Sequence, residues 1–407
     1  MKDFNIPCLF ISSVLLASLS GCGGGGTEST AQTGGTDAFP TVESLGKSLF
    51  SDPRFSLTRN QSCATCHNPE QGFIDNRDNG VAGAVSLGDD GLSLGTRNAP
   101  TVAYARFSPA FSGTDQNAQG GQFLDGRASD LTEQAGGPFL NPVEMAMPDR
   151  AAVVSRLQED SDYIAALQNF FGNDIFTNTD NAYEAITASI ASFESSAEVS
   201  PFDSKYNRAL TGTYTMTAVE AQGRQLFFSG GASCVRCHRT GGLPTNSASE
   251  IFTDHHYFNI GVPANSTLNA ILTGLGQQTD LTANGDRGLF DNPAVSSNPA
   301  TRGLFKAPSL RNVAVTAPYM HNGVFANLQT VLQFYDHQGG NAARSINPET
   351  GLPWDAPEIS TGISNNRLQM PDLTDAQIDA LECFLRTLTD AQFETDLPPL
   401  RAGLSCS

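Results

Sequence analysis

A chain of 407 residues with 39% hydrophobic content is long enough to bury two cores of ordinary size. Its 42 acidic residues against 23 basic ones give a formal charge of −19, which excludes a nucleic-acid partner, because phosphate binding needs the opposite sign. A basic or locally complementary protein partner remains open.

In chain order, Lys2, an apolar run from Ile6 to Leu19 and the small residues Ser20 and Gly21 before Cys22 read as an export signal over residues 1–21. The Leu-Ser-Gly-Cys ending is similar to a bacterial lipobox. It predicts acylation of Cys22 and an exported lipoprotein of the outer membrane, periplasmic or at the cell surface, held by lipid alone. A plain secretory signal cut elsewhere is the alternative. No later apolar run approaches the roughly 20 residues of a membrane helix. Residues 22–40, rich in Gly, Ser and Thr, form a flexible tether with nothing to bury.

Two stretches then share the pattern V-E-x-x-G-[KR]-x-L-F, "VESLGKSLF" from Val42 and "VEAQGRQLF" from Val219. Each leads into Ser-Cys-x-x-Cys-His, at Ser62 to His67 and Ser233 to His238. The chain holds a duplicated module, divided as residues 41–205 and 206–407. Thr217 and Glu220 form a capping box that starts a helix. Helical spacing also marks the runs from Ala151, Ala182 and Thr374, the last through Ile378, Leu381, Leu385 and Leu388. Strand alternation is scarce, so the fold class is mainly α with long loops and little strand. The connections 75–95 and 274–299 exceed ordinary loop lengths and predict a bulky group in the space they wrap.

Three chemistries compete for C-x-x-C-H. A thioredoxin-like redox pair needs a βαβ context, which is missing, and a zinc ribbon needs its second pair about 15 to 20 residues on, whereas Cys66 and Cys234 lie 168 positions apart. Covalent haem c remains, with Cys63, Cys66, Cys234 and Cys237 forming thioethers and His67 and His238 bound to iron. Of the other cysteines, Cys8 leaves with the signal and Cys22 takes lipid. Cys383 and Cys406 are then most simply a disulfide in an oxidising compartment, with two free thiols as the alternative.

Further stretches, "LGKSLFSDPRFS", "RNAPTV" from Arg97, "DGRASDLTEQAGGP" from Asp125, "NPVEM" from Asn141 and "APSLRNVAVTAPYMHNG" from Ala307, carry a resemblance. With the two motifs, they resemble the bacterial di-haem cytochrome c peroxidase superfamily, in its MauG/MbnH-like branch. The resemblance implies two cytochrome c-like haem domains, hydrogen peroxide chemistry at the N-terminal haem, an electron-transfer haem in the C-terminal domain, and one calcium ion. It carries calcium ligation onto Asn98, Thr316 and Pro318, and distal acid-base chemistry onto Glu144 and Gln134, with Pro138 lining the same pocket. It also implies a Trp between the haems where this chain has Leu124, next to Phe123.

An open sixth position marks a haem that does chemistry, and a second ligand closes one that relays electrons. No His lies between His67 and His238, so the first haem is expected to stay open, with Met145 or Met147 as the alternative ligand. Glu144, set among apolar neighbours, is expected to have a raised pKa if buried. For the second haem Met320, His321, Tyr335 and His337 are candidates. Tyr335 shares a helical face with Leu328, Val331 and Leu332, and the family register, fourteen residues beyond His321, selects it. His255 and His256 are expected to bond haem carboxylates or core groups.

The expected activity is peroxide reduction with oxidation of a protein side chain on a partner. The rivals are a hydrogen peroxide scavenger fed by a small electron-donor protein, and a non-enzymic electron carrier.

Overall fold

The computed structural model describes residues 38–229, 231–239, 248–277, 279–295 and 298–407. The export signal, Cys22 and the tether as far as position 37 lie outside these residues. Among the described residues the helices are α1 (Val42–Ser51), α2 (Cys63–Cys66), α3 (Leu131–Leu140), α4 (Arg150–Leu157), α5 (Ser161–Phe171), α6 (Thr179–Glu194) and α7 (Lys205–Leu210). They continue as α8 (Ala218–Phe228), α9 (Ser266–Gly274), α10 (Thr279–Asn284), α11 (Leu328–Gln338), α12 (Asn365–Leu368) and α13 (Asp375–Arg386). The described strands β1 (Tyr257–Phe258) and β2 (Phe305–Lys306) pair antiparallel, Tyr257 with Lys306 and Phe258 with Phe305. The chain is therefore mainly helical.

The duplicated pattern becomes a duplicated packing motif. Glu220 and Thr217 cap α8 reciprocally, at 3.2 and 2.9 Å, satisfying amides that the first turn leaves unpaired. Gly46 of α1 lies on α6, where an added Cβ would stand 1.8 Å from the Ser189 carbonyl oxygen. Gly223 of α8 lies on α13 in the same way, 1.8 Å from that of Ala380. The shared Gly is thus the point where each helix crosses its partner backbone to backbone.

Two large cores follow. The first gathers Leu45, Leu49 and Phe50 of α1 with Ile186, Ile190 and Phe193 of α6, and it also takes in Ile251 and Phe393 from late in the chain. The second gathers Phe227 of α8 with Ile378, Leu381 and Phe384 of α13. The connection 75–95 meets its expectation as a wrapping for a bulky group only in part. Its Val81, Ala84, Val85 and Leu94 pack on Leu268 and Leu272 of α9, because those apolar side chains find their own partner. Only Ser86, Leu87 and Gly95 of that connection reach the central cavity.

Candidate functional site

The cavity has a volume of about 770 Å³ and is lined by both C-x-x-C-H motifs. In the first, Ser62 and Thr65 form a capping box that starts the single turn of α2, and the His67 amide closes on the Cys63 carbonyl at 2.8 Å. In the second, a 3-10 turn over Cys234–Arg236 follows Ser233, and the His238 amide closes on Cys234 at 2.9 Å. One turn therefore delivers two thiols and an imidazole to the cavity. The four cysteines are unpaired, and burial pushes the thiols up, Cys66 to about 11 and Cys234 and Cys237 to about 12.

The imidazoles are oriented alike. His67 Nδ1 lies 3.3 Å from the Phe73 carbonyl and His238 Nδ1 lies 3.1 Å from that of Phe252. A carbonyl only accepts, so Nδ1 carries the proton and Nε2 keeps its lone pair for a metal. Phe73 and Phe252 both have left-handed backbones, φ 56° and 57°, which aim these carbonyls. The Thr101 hydroxyl donates to the Gly72 carbonyl at 2.6 Å and the Ser309 hydroxyl to that of Ile251 at 2.8 Å. Sequence reasoning missed these supports, although a signal existed: Ala-Pro-Thr-Val at Ala99 and Ala-Pro-Ser-Leu at Ala307 are a second trace of the duplication.

Around the first motif Gln134, Pro138 and Glu144 all line the cavity. Burial holds the Glu144 carboxyl above the usual carboxylate range, with Arg127 and Asn141 opposing. Met145 also lines the cavity, whereas Met147 sits in the first core. A buried acid that sequence reasoning missed, Glu194 at the end of α6, faces the same space. Its Oε2 has no hydrogen-bond partner, and burial pushes its pKa to about 8. On a helix terminus it reads as an ordinary solvent-facing polar residue, so no local signal marked it.

Around the second motif Tyr335 lines the cavity. Burial, then the nearby Cys237 and Cys234, raises its pKa, and α11 turns the hydroxyl toward no hydrogen-bond partner among the described residues. The other candidates divide. His337 stacks on Trp354 with ring centroids 5.6 Å apart. His321 faces the cavity but is held at Nε2 by Glu358, 2.9 Å away, and stacks on Phe305 at 3.9 Å. Met320 lines the cavity.

Leu124 and Phe123 line the cavity as well, and the Arg127 guanidinium covers the Phe123 ring at 3.6 Å. His255 buries an unpartnered Nε2, and burial with the adjacent Lys306 lowers its pKa to about 4. His256 Nδ1 lies 3.1 Å from the Asp254 carbonyl. Asn98, Thr316 and Pro318 each line the cavity. Asn98 Nδ2 donates to the Ala84 carbonyl at 3.1 Å, and its backbone amide donates to the His321 carbonyl at 2.7 Å. Cys383 and Cys406 are joined, with Cα atoms 5.4 Å apart.

Two thiol pairs, each beside a buried imidazole held at Nδ1 by a backbone carbonyl, on the wall of one large cavity, fit two covalent haem c groups. The family model for di-haem cytochrome c peroxidase matches residues 40–215. The methylamine utilization protein MauG of Paracoccus denitrificans is 45% identical over 368 residues, 89% of this chain and 92% of that one. The chain belongs to the di-haem cytochrome c peroxidase family. It is a MauG-type di-haem peroxidase. The cytochrome c551 peroxidase of Nitrosomonas europaea is 33% identical over 71% of each chain. The crystal structure of the diheme peroxidase BthA from Burkholderia thailandensis matches with a TM-score of 0.75 and 31% identity, covering 90% of both chains.

Proposed function

We propose that this peroxidase holds one haem through Cys63, Cys66 and His67 in residues 41–205, and another through Cys234, Cys237, His238 and Tyr335 in residues 206–407. Hydrogen peroxide reacts at the first. Haem supplies the iron at which the O–O bond breaks and the means of keeping the oxidising equivalents. The chain supplies proton handling and closure. Glu144, whose pKa burial raises, takes a proton from one peroxide oxygen and returns it to the other as water leaves. Gln134 orients the peroxide by hydrogen bonding. The Tyr335 phenolate, a hard anionic donor, would favour oxidised iron at the second site, which would suit that site to the oxidation of a Trp or Tyr on the surface of a protein partner.

The observation that carries this reading is Tyr335, which lines the cavity near enough to Cys237 and Cys234 for them to raise its pKa and whose hydroxyl has no hydrogen-bond partner among the described residues. EPR of the ferric protein tests it: one high-spin and one low-spin haem are expected, and two low-spin haems with protein ligands would overturn it.

Met320 favours a second reading, because it faces the same cavity and a thioether ligand raises the potential. The enzyme would then scavenge peroxide with a small cytochrome as donor. A thioether-to-iron charge-transfer band would mark that case. The same proposal includes one calcium ion at Asn98, Thr316 and Pro318, and export with lipid on Cys22, holding the protein at the outer membrane. Mass measurement of the mature N-terminus tests the lipid, and chelation tests the ion.

A further inference from the structure

Tyr104 is buried with a left-handed backbone, φ 64°, and its hydroxyl donates to Asp390 Oδ1 at 2.7 Å. The other carboxylate oxygen accepts from Asn312 Nδ2 at 2.8 Å. Asn312, φ 61°, follows Ser309 by three positions as Tyr104 follows Thr101, so the duplicated modules offer equivalent positions to one carboxylate. The same phenol oxygen accepts from the Phe202 amide at 3.0 Å.

Packing extends from this pair toward both motifs. The Arg311 guanidinium stands 5.3 Å from the Tyr104 ring centroid and 5.4 Å from that of Phe252, whose carbonyl holds His238. On the other side the Phe393 amide bonds the Asp390 carbonyl at 2.9 Å. The Phe393 ring meets Phe73 edge-on at 6.3 Å, and the Phe73 carbonyl holds His67. Tyr104 and Asp390 thus occupy the middle of a continuous packed chain between the carbonyl partners of the two imidazoles.

Stepwise hopping of electrons over longer distances in proteins uses side chains that can be oxidised, and phenylalanine is a poor one. Leu124 and Phe123 supply no such group, and no Trp lines the cavity. Three tyrosines do: Tyr335 is assigned to the second site, Tyr319 donates to the Val313 carbonyl at 3.0 Å, and Tyr104 alone bonds a carboxylate. A buried phenol cannot keep the positive charge that losing an electron would leave, so a bonded base must take its proton.

We infer that Tyr104, hydrogen-bonded to Asp390, is the redox-active side chain through which the two haem sites exchange oxidising equivalents. One electron leaves the phenol for the peroxide-oxidised site while its proton crosses to Asp390 Oδ1, giving a neutral tyrosyl radical and a neutral acid. An electron from the other site then reduces the radical, and the proton returns. The inference rests on the proposed haem sites.

The test mixes the haem-loaded full chain with hydrogen peroxide and follows it by optical spectra and freeze-quench EPR. A tyrosyl signal is expected that narrows with ring-deuterated tyrosine and is lost in Tyr104→Phe of unchanged haem content and circular dichroism. Fluorotyrosine at position 104, which keeps both hydrogen bonds, is expected to add fluorine splitting, and it decides the matter should Tyr104→Phe fold poorly. An unchanged radical in either protein overturns the relay, as does a wild-type spectrum that responds to peroxide with no tyrosyl signal. An optical spectrum unmoved by peroxide overturns the site assignment and the relay with it.

Discussion

Gly223 of α8 lies so close to the Ala380 carbonyl of α13 that a Cβ there would be 1.8 Å from the oxygen. In an ordinary helix interior Gly→Ala stabilises by about 1 kcal/mol. Here the sign is expected to reverse, because the two backbones must separate, at a typical overpacking cost of about 1–3 kcal/mol. Gly223→Ala, and Gly46→Ala at the matching crossing on Ser189, are each expected to lower the denaturation midpoint, read by chemical unfolding of the holoprotein. Midpoints at or above wild type would show that the helices shift freely.

Tyr335→Phe removes only the hydroxyl that faces the second motif. The ring keeps its place beside Phe334, 6.4 Å between centroids, so folding is expected to persist. The low-spin ferric signature of the second haem should disappear, with haem content unchanged by pyridine haemochrome assay. Retention of that signature would move the ligand to Met320.

Glu144→Gln keeps the shape of the side chain and removes its proton exchange. General acid-base groups typically contribute about 10²–10⁴-fold, and a loss of that order is expected in the rate of peroxide reaction measured by stopped flow. An unchanged rate would exclude Glu144 as the proton carrier.

Glu194 carries a stability consequence with a definite sign. Its folded pKa, about 8, lies above the ordinary value of 4.5, so the native state binds a proton that the unfolded chain has released. That stabilisation is complete below pH 4.5 and is lost as pH rises through 8, with a slope of at most about 1.4 kcal/mol per pH unit. Glu194→Gln should flatten the decline between these values, read as denaturation midpoint against pH. An unaltered profile would mean that the carboxyl ionises at its ordinary value.

The motifs were legible because their chemistry is contiguous. A helical turn must present Cys63, Cys66 and His67 together, so their spacing survives in the sequence. The helices announced themselves through capping at Thr217 and the spacing of Ile378, Leu381, Leu385 and Leu388, all of them buried. What was hidden depends on backbone or on distance. Any residue type carries the carbonyl that Phe73 and Phe252 offer, and only the left-handed φ aims it. Tyr104 meets Asp390 across 286 positions, a separation over which neither residue leaves a periodic trace. The connection 75–95 packs most of its apolar side chains on α9, a partner nearly two hundred positions away, and brings only Ser86, Leu87 and Gly95 to the cavity.

Phe393 completes the first core against Phe73, and Asp390 locks Tyr104 nearby. The first core is therefore closed by a segment that follows α13, far beyond residues 41–205. Removing that segment would leave Phe73 and Tyr104 without these partners, so the N-terminal module depends on the C-terminal end of the other for its own packing.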